Sequence, residues 1–565
     1  MLFRRTRRAD ILRRMKKIIL WSLLLVSASS FAQVAGREYE NADKKIDVSA
    51  ILKGMPEGTV HQHVMLPMRD GVKLATEVFI PPSDQPQAAV LVRTPYGRLQ
   101  PSGYAKKEFV FVTQDPRGSG DSEGTTDLVN NENEINDGYD CVEWIAAQPW
   151  CNGRVGMVGG SGNGTCANMA YLAKPPHLVV VASGNTAGNT ALHWGFENGV
   201  RRGLYSWLQY RAPGRKSPAE WPKPTLFTYD TAAWQEKVKA AAKDNHVVYF
   251  IDDGWFNIFG DAAIDDFQAF GADGKVYVKI APRTHAAAKV RGVPFPVYGE
   301  RGAANRSAPA VPEFADILKG KEAVAPSRIL YYVMGDIMET NAPGNVWKYT
   351  DVWPPKNAAV PFYLNADGTL GPTAPKGGSE LTYAYDPRDP APSLGGDYTY
   401  SSKEDAAGPL DQRPLKERKD VLRFVTEPLE KPLEIGGELR ADLYVSTDVP
   451  DTLFVVKVAD VYPDGFEALV REGVFMGRYF QSMENPQPLE KDRIYRLQFG
   501  LKNSAIVFNR GHRIAVYVTS SSKNAYEVHP NTFEQVKSYD KSPVAHNTIH
   551  LSAEHPSCVI LPATK

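Results

Sequence analysis

Between Ala89 and Ile280 the chain keeps returning to one pattern, a short unbroken apolar run followed by a turn or a helix-length stretch. The runs are Ala89–Val92, Phe109–Val112, Val155–Val158, Val179–Val181, Val247–Ile251 and Val276–Ile280. A strand that is apolar at every position is buried on both faces, as in a parallel sheet covered by helices. Helices are predicted over Glu132–Ala147 and Asn163–Ala173. Strands alternating with helices specify an α/β domain, placed here at about residues 59–325. Its first strands begin near His61, and Met68-Arg69-Asp70-Gly71 is a hairpin turn. Residues 187–245 break the alternation and are rich in aromatics (Trp194, Phe196, Tyr205, Trp207, Tyr210, Trp221 and Trp234). An insertion joining two such strands sits over their C-terminal ends, where α/β domains bind ligands, so a helical cap is predicted. Beyond Pro326, segments such as Ala441–Ser446, Phe454–Val458 and Arg513–Val518 are strand-like, with Gly, Pro and Asp-Gly turns recurring. They predict a second domain, an antiparallel β-sandwich over about 330–565.

The 565 residues suffice for several domains, and 43% hydrophobic with 23% charged residues is ordinary globular composition. A formal charge of zero hides an asymmetry. Residues 1–32 hold eight of the 65 Lys and Arg and one of the 65 acids, Asp10, so the remainder carries a net charge of −7. A mildly acidic body has no global electrostatic draw toward nucleic acid or anionic lipid. The basic start runs into the apolar Ile18–Val26 and then Ser30-Phe31-Ala32, the three parts of a secretory signal. That apolar run is too short to span a bilayer. The expectation is an exported protein with residues 1–32 as signal peptide, 33–58 as a polar arm, and Met15 as an alternative start. Four cysteines, Cys141, Cys151, Cys166 and Cys558, are too few for a disulfide scaffold, and no C-x-x-C is present. Export permits a bridge, and Cys141 with Cys151 is the closest pair in sequence, although a helical stretch between them could hold their Cα atoms too far apart, so this pairing stays open.

The chemistry is written at Val155–Gly164, where a buried strand enters a Gly-rich turn with a single Ser161 and a helix follows at once. Such a turn lifts the hydroxyl out at the sheet's C-terminal edge, and its neighbours must be small where strand and helix nearly touch. The helix N-terminus aims backbone N–H groups at a developing oxyanion. A phosphate-cradling loop is the rival, but no Lys-Ser/Thr follows the glycines and no G-x-G-x-x-G is present. A serine nucleophile needs a base later in the chain near a strand end, and His285, five residues after the end of the Val276–Ile280 run, fits. The His61-x-His63 pair lacks a third metal ligand, so a solvated strand is expected there.

In these features the chain resembles the cocaine esterase-like and α-amino acid ester hydrolase-like serine hydrolases, relatives of X-Pro dipeptidyl peptidases. The resemblance runs from about residue 59 to the C-terminus. It rests on Arg69–Leu74, Arg93-Thr94-Pro95-Tyr96-Gly97-Arg98, Gln114–Gly124, Glu143–Gly153, the Ser161 turn, Gly254-Trp255-Phe256-Asn257, Ala281-Pro282-Arg283-Thr284-His285 and Gly408–Arg413. It implies an α/β-hydrolase core, a helical cap and a C-terminal jelly roll. It further implies Ser161 as nucleophile, His285 as general base, and the Gly162 N–H with the Tyr96 hydroxyl as oxyanion hole. No metal or cofactor is implied. Two departures stand out. Gly162 occupies a position where the family usually has an aromatic, and Asn257 stands where the family has its triad Asp. An amide fills the space without the charge, and Asp to Asn in a known triad costs about 10⁴ in turnover. Asp253 and Asp261 lie close enough in sequence to substitute.

The expected function is cleavage of a small-molecule carboxylic ester, less favourably an amide, through an acyl-enzyme. Asn257 keeps open a catalytically weakened, ligand-binding protein. A dipeptidyl aminopeptidase is the third reading. It needs carboxylates just after the triad position to hold an amine, and here Ile258, Phe259 and Gly260 follow, with Asp261 fourth.

Overall fold

Ten strands form one mixed sheet in the computed structural model. It describes residues 47–99, 108–125, 132–186, 188, 193, 195–203, 238, 240–241, 243–271, 275–285, 288–295, 313–323, 326–397, 407–534, 536 and 538–564. The strands are β1 (Val60–Pro67), β2 (Lys73–Ile80), β3 (Gln87–Arg93), β4 (Val110–Gln114), β5 (Cys151–Gly160), β6 (Leu178–Gly184), β7 (Val248–Gly254), β8 (Lys275–Ala281), β9 (Arg328–Val333) and β10 (Val346–Thr350). Their spatial order is β1-β2-β4-β3-β5-β6-β7-β8-β9-β10. From β4 to β9 every pairing is parallel, and the flanking pairs are antiparallel. All six apolar runs read from the sequence lie within or overlap strands of this sheet. The hairpin turn at Met68–Gly71 joins β1 to β2, with Gly71 at φ +89°.

Helices α1 (Glu132–Ala146) and α2 (Gly162–Ala173) pack together, with Gly138 at the crossing, where an added Cβ would lie 2.9 Å from the Ala170 Cβ. α3 (Gly260–Phe270) follows β7. On another face of the sheet, Phe79, Phe109 and Phe111 pack with Ile317 and Leu318 of the Phe314–Leu318 helix and with Val48, Ile51 and Met55. The end of the predicted N-terminal arm is therefore held by apolar burial. Residues 1–46, including the predicted signal, lie outside the described residues, as does most of the predicted cap, with Trp194, Tyr205, Trp207, Tyr210, Trp221 and Trp234. Among the described residues no helix is long and apolar enough to cross a membrane, and all four cysteines are buried and free.

The boundary between the two domains is later than the sequence predicts. Arg328–Val333 and Val346–Thr350, read as the start of the sandwich, hydrogen-bond to the first sheet instead. The physical reason is that Ile329, Tyr331, Tyr332 and Val333 are buried, so this stretch completes the parallel sheet. Beyond it, the strands from Asn357–Leu364 to Cys558–Thr564 form a seven-stranded and a four-stranded antiparallel sheet. The two domains are stitched by backbone bonds from Met334 N–H to Ala505 (2.9 Å) and from Val507 N–H to Met334 (2.9 Å). A buried charge cluster of Arg202, Glu197, Asp397 and Lys502 adds to the seam.

Candidate active site

Five neighbouring parallel strands, β3, β5, β6, β7 and β8, each end in a loop that gives one polar residue to the same edge of the sheet. These are Tyr96, Ser161, Asn185, Asn257 and His285 in turn. Loops at strand C-terminal ends are where an open α/β sheet places its ligands.

Ser161 joins β5 to α2 at φ +57° and ψ −126°, a conformation costly for any residue with a Cβ. The turn closes because its glycines let strand and helix touch. A Cβ on Gly159 would sit 2.4 Å from the Asn163 backbone, and one on Gly164 would sit 2.9 Å from Thr186 Cγ2. The Ser161 N–H donates to the Gly184 carbonyl (2.9 Å), tying the turn to β6. Its Oγ lies 3.0 Å from Tyr96 Oη, and the Gly162 N–H donates to that same phenol oxygen at 2.9 Å. Gly162 is small for a reason: a Cβ there would meet Tyr96 Oη at 2.8 Å and Pro95 Cγ at 2.9 Å.

Tyr96 is 54% exposed, yet the next two residues anchor it. Gly97 turns at φ +104°, and the buried Arg98 donates from N to Asp115 Oδ1 (2.8 Å) and from Nε to Glu77 Oε1 (2.8 Å). Glu77 is wholly buried and also holds His61 Nε2 (2.7 Å) and His63 Nδ1 (2.8 Å). His61 and His63 are thus not a solvated pair, as the sequence suggested, but partners of a buried carboxylate. Among the described residues no three His, Cys, Asp or Glu are placed to hold a metal ion.

At the histidine end, β7 runs into Gly254-Trp255-Phe256-Asn257. The Trp255 N–H donates to Ala281 (2.9 Å) and the Phe256 N–H to Arg283 (3.0 Å), so this loop and the His285 loop are bonded backbone to backbone. His285 Nδ1 faces Asn257 Oδ1 at 3.3 Å. The Asn257 Nδ2 donates to Asp253 Oδ1 (2.7 Å) and to Asn185 Oδ1 (2.9 Å). Asp253 is fully buried, and burial raises its carboxyl to about 7 against the opposing pull of the Gly254 N–H, the Arg283 charge and the Asn257 amide. Burial, with the Arg283 charge, lowers the His285 imidazole below its usual 6.5. Asp261 points elsewhere. Its Oδ1 accepts from the Asn503 N–H (2.8 Å) and Nδ2 (2.6 Å) of the β domain. Arg471 of that domain lies over the Trp255 and Phe256 rings, 5.7 and 5.4 Å from their centroids.

The sequence-predicted residues Tyr96, Ser161 and Gly162 are brought into direct contact, and Asn257 with His285 likewise. Asn185 was not foreseen. Its signal is faint, an Asn after the Gly that ends a strand, here at φ +51°. Asn tolerates that left-handed conformation better than most residues.

A strained serine between a central parallel strand and its helix, with a histidine on a later strand loop, defines the α/β-hydrolase class of serine hydrolases. The chain matches the family described as X-Pro dipeptidyl-peptidase (S15 family) over residues 70–287, and the X-Pro dipeptidyl-peptidase C-terminal non-catalytic domain over 323–560. It is 29% identical to a cocaine esterase of Rhodococcus sp. (strain MB1 Bresler), covering 90% of this chain and 99% of that protein. Among solved structures, an α-amino acid ester hydrolase superposes with a TM-score of 0.73 at 25% identity, covering 94% of this chain and 99% of that one. An aminopeptidase from the marine sediment archaeon Thaumarchaeota archaeon superposes with a TM-score of 0.72 at 24% identity over the same shares. Together these matches support a serine hydrolase of the cocaine esterase- and X-Pro dipeptidyl-peptidase-like kind.

Proposed function

We propose that this protein is an exported esterase that cleaves a small-molecule carboxylic ester through an acyl-enzyme on Ser161. The observation that carries the reading is the convergence of Ser161 Oγ and the Gly162 N–H on the Tyr96 hydroxyl, at 3.0 and 2.9 Å, in a strained strand-to-helix turn. In this reading His285, neutral because burial and Arg283 disfavour its cation, takes the Ser161 proton as Oγ attacks the ester carbonyl. Negative charge on the former carbonyl oxygen is held by the Gly162 N–H and by the Tyr96 O–H, which turns from Ser161 to the substrate. Collapse expels the alcohol with the proton from His285, and water returns through the same base to free the acid.

Ester is favoured over a peptide with a free amine because Asp261, the nearest carboxylate after Asn257, is spent on Asn503 at the domain seam. The names of the Rhodococcus relative and of the superposed ester hydrolase support the same choice. Export rests on the basic, apolar and small-residue segments of residues 1–32, and the two-sheet C-terminal domain is read as a jelly roll. A fluorophosphonate probe should label the protein at Ser161, and Ser161→Ala should lower labelling on the order of 10⁴-fold or more. A probe that leaves Ser161 unmodified sinks the esterase reading and favours a ligand-binding protein. Cell fractionation tests export.

A further inference from the structure

The triad acid is missing from its expected position, yet the amide that replaces it is held in one orientation by a chain of bonds whose direction can be deduced. Arg283 is a donor only, so the Asn185 atom it meets at 2.5 Å is the amide oxygen. That oxygen also lies 2.9 Å from Asn257, so the Asn257 atom facing it is Nδ2. The same Nδ2 lies 2.7 Å from Asp253 Oδ1, an acceptor. What remains for His285 is Asn257 Oδ1, which only accepts, so the imidazole carries its proton on Nδ1. Nε2 is then left with a free lone pair. A freely rotating amide could present Nδ2 to the ring instead, and the tautomer would be the wrong one for taking a serine proton.

We propose that Asp253 and Asn257 together replace the triad carboxylate: Asp253 orients the Asn257 amide and, when ionised, places a negative charge behind it. This deepens the esterase reading and rests on it. Asp253 is a positioning residue, since it reaches His285 only through Asn257. Its Oδ1 takes both bonds, from the Gly254 N–H (2.8 Å) and Asn257 Nδ2, while Oδ2 is buried with no hydrogen-bond partner. A proton on Oδ2 therefore leaves the amide orientation intact and removes only the charge. The charged groups acting on Asp253 are Arg283, which favours ionisation, and Asp252, which opposes it. Ionisation of Asp253 accordingly adds a second rise in activity, near pH 7, above the one set by His285.

The test is a double-mutant cycle on the full chain, read as the rate of fluorophosphonate labelling of Ser161 against pH. Asp253→Asn keeps an acceptor oxygen and loses the charge, so the rate should fall about 10–10²-fold above pH 7, and the limb near pH 7 should vanish. Asn257→Asp alone sets two carboxylates 2.7 Å apart, which share one proton, so its rate should stay near the parent's. The combined Asp253→Asn/Asn257→Asp swap puts the acid against His285 and the amide behind it, and its rate should equal or exceed the parent's. A residue with a merely structural role predicts no such reversal. An Asp253→Asn rate and pH profile like the parent's, or a swap as slow as Asp253→Asn, overturns the proposal. Should Asp253→Asn not fold, Asn185→Ala removes the other Nδ2 acceptor and should lower kcat with KM unchanged. If the parent itself does not label, the esterase reading fails. The relay is then judged by ¹⁵N NMR, which must show an Nδ1–H tautomer at His285 that weakens in Asn185→Ala.

Discussion

At the serine end of the site, position is set by backbone: a residue at φ +57°, glycines that admit a helix against a strand, and an N–H aimed at a phenol. At the histidine end it is set by side-chain amides, with Asn185, Asn257, Asp253 and Arg283 fixing one another's rotamers around His285. The first arrangement is tightest at Gly159, where a Cβ would overlap the Asn163 backbone, while one on Gly164 would meet Thr186 and one on Gly162 the Tyr96 phenol and Pro95. The second can take an amide where a carboxylate would stand, because Asn257 Oδ1 still accepts from His285 while its Nδ2 finds acceptors in Asp253 and Asn185. A change at position 257 therefore disturbs the local packing less than one at Gly159 would.

This contrast can be broken at several points. The largest effect is expected at Tyr96. Tyr96→Phe removes the proposed oxyanion donor and should lower turnover of an activated ester by about 10²–10³, with little change in Tm because the ring is half exposed. An unchanged turnover, with acylation limiting, removes Tyr96 from the oxyanion hole. Gly162→Ala should act through the same phenol by pushing Oη aside, lowering turnover by about 10–10², chiefly in kcat. Wild-type kcat in that variant would show that Tyr96 is not held where the structure has it. Gly159→Ala should instead destabilise the fold by about 1–3 kcal/mol, read by urea titration, since its Cβ would overlap the Asn163 backbone. The smallest effect is in the pH profile. With His285 as the proposed base, burial and the Arg283 charge lower its pKa, so the lower of the two acid limbs of kcat/KM should be centred below pH 6.5. A lower limb that is itself centred above 6.5, apart from the Asp253 limb near pH 7, would mean that His285 sits directly against a full negative charge.

The serine end was legible because backbone demands leave marks in sequence. Val155–Gly164 states a buried strand, small residues and a helix, and the structure delivers all three. The parallel strands were legible for the same reason, since double burial shows as continuous apolar residues. The domain boundary was missed because Arg328–Val333 also has the texture of a sandwich strand, and only pairing tells them apart. Nor could the histidine end be read beyond His285 and Asn257. Asn185 is 100 residues from His285, whose carbonyl accepts from its Nδ2 at 3.2 Å, and nothing local to either residue announces that bond. Asp253 was visible only as a nearby carboxylate. Its attachment to the far side of the Asn257 amide, rather than to His285, depends on the loop geometry after β7. The His61 and His63 pair was misread for a related reason, because its partner Glu77 lies across a strand pairing.

Acylation of Ser161 can be followed by rapid mixing with p-nitrophenyl butyrate, acid quench and peptide mass spectrometry. A burst of nitrophenol near one equivalent per chain is expected, with a butyryl group on the peptide containing Ser161. The burst should be lost in Ser161→Ala and slowed in Tyr96→Phe. Nitrophenol release without a burst that persists in Ser161→Ala, or an acyl group on any other residue, would contradict it.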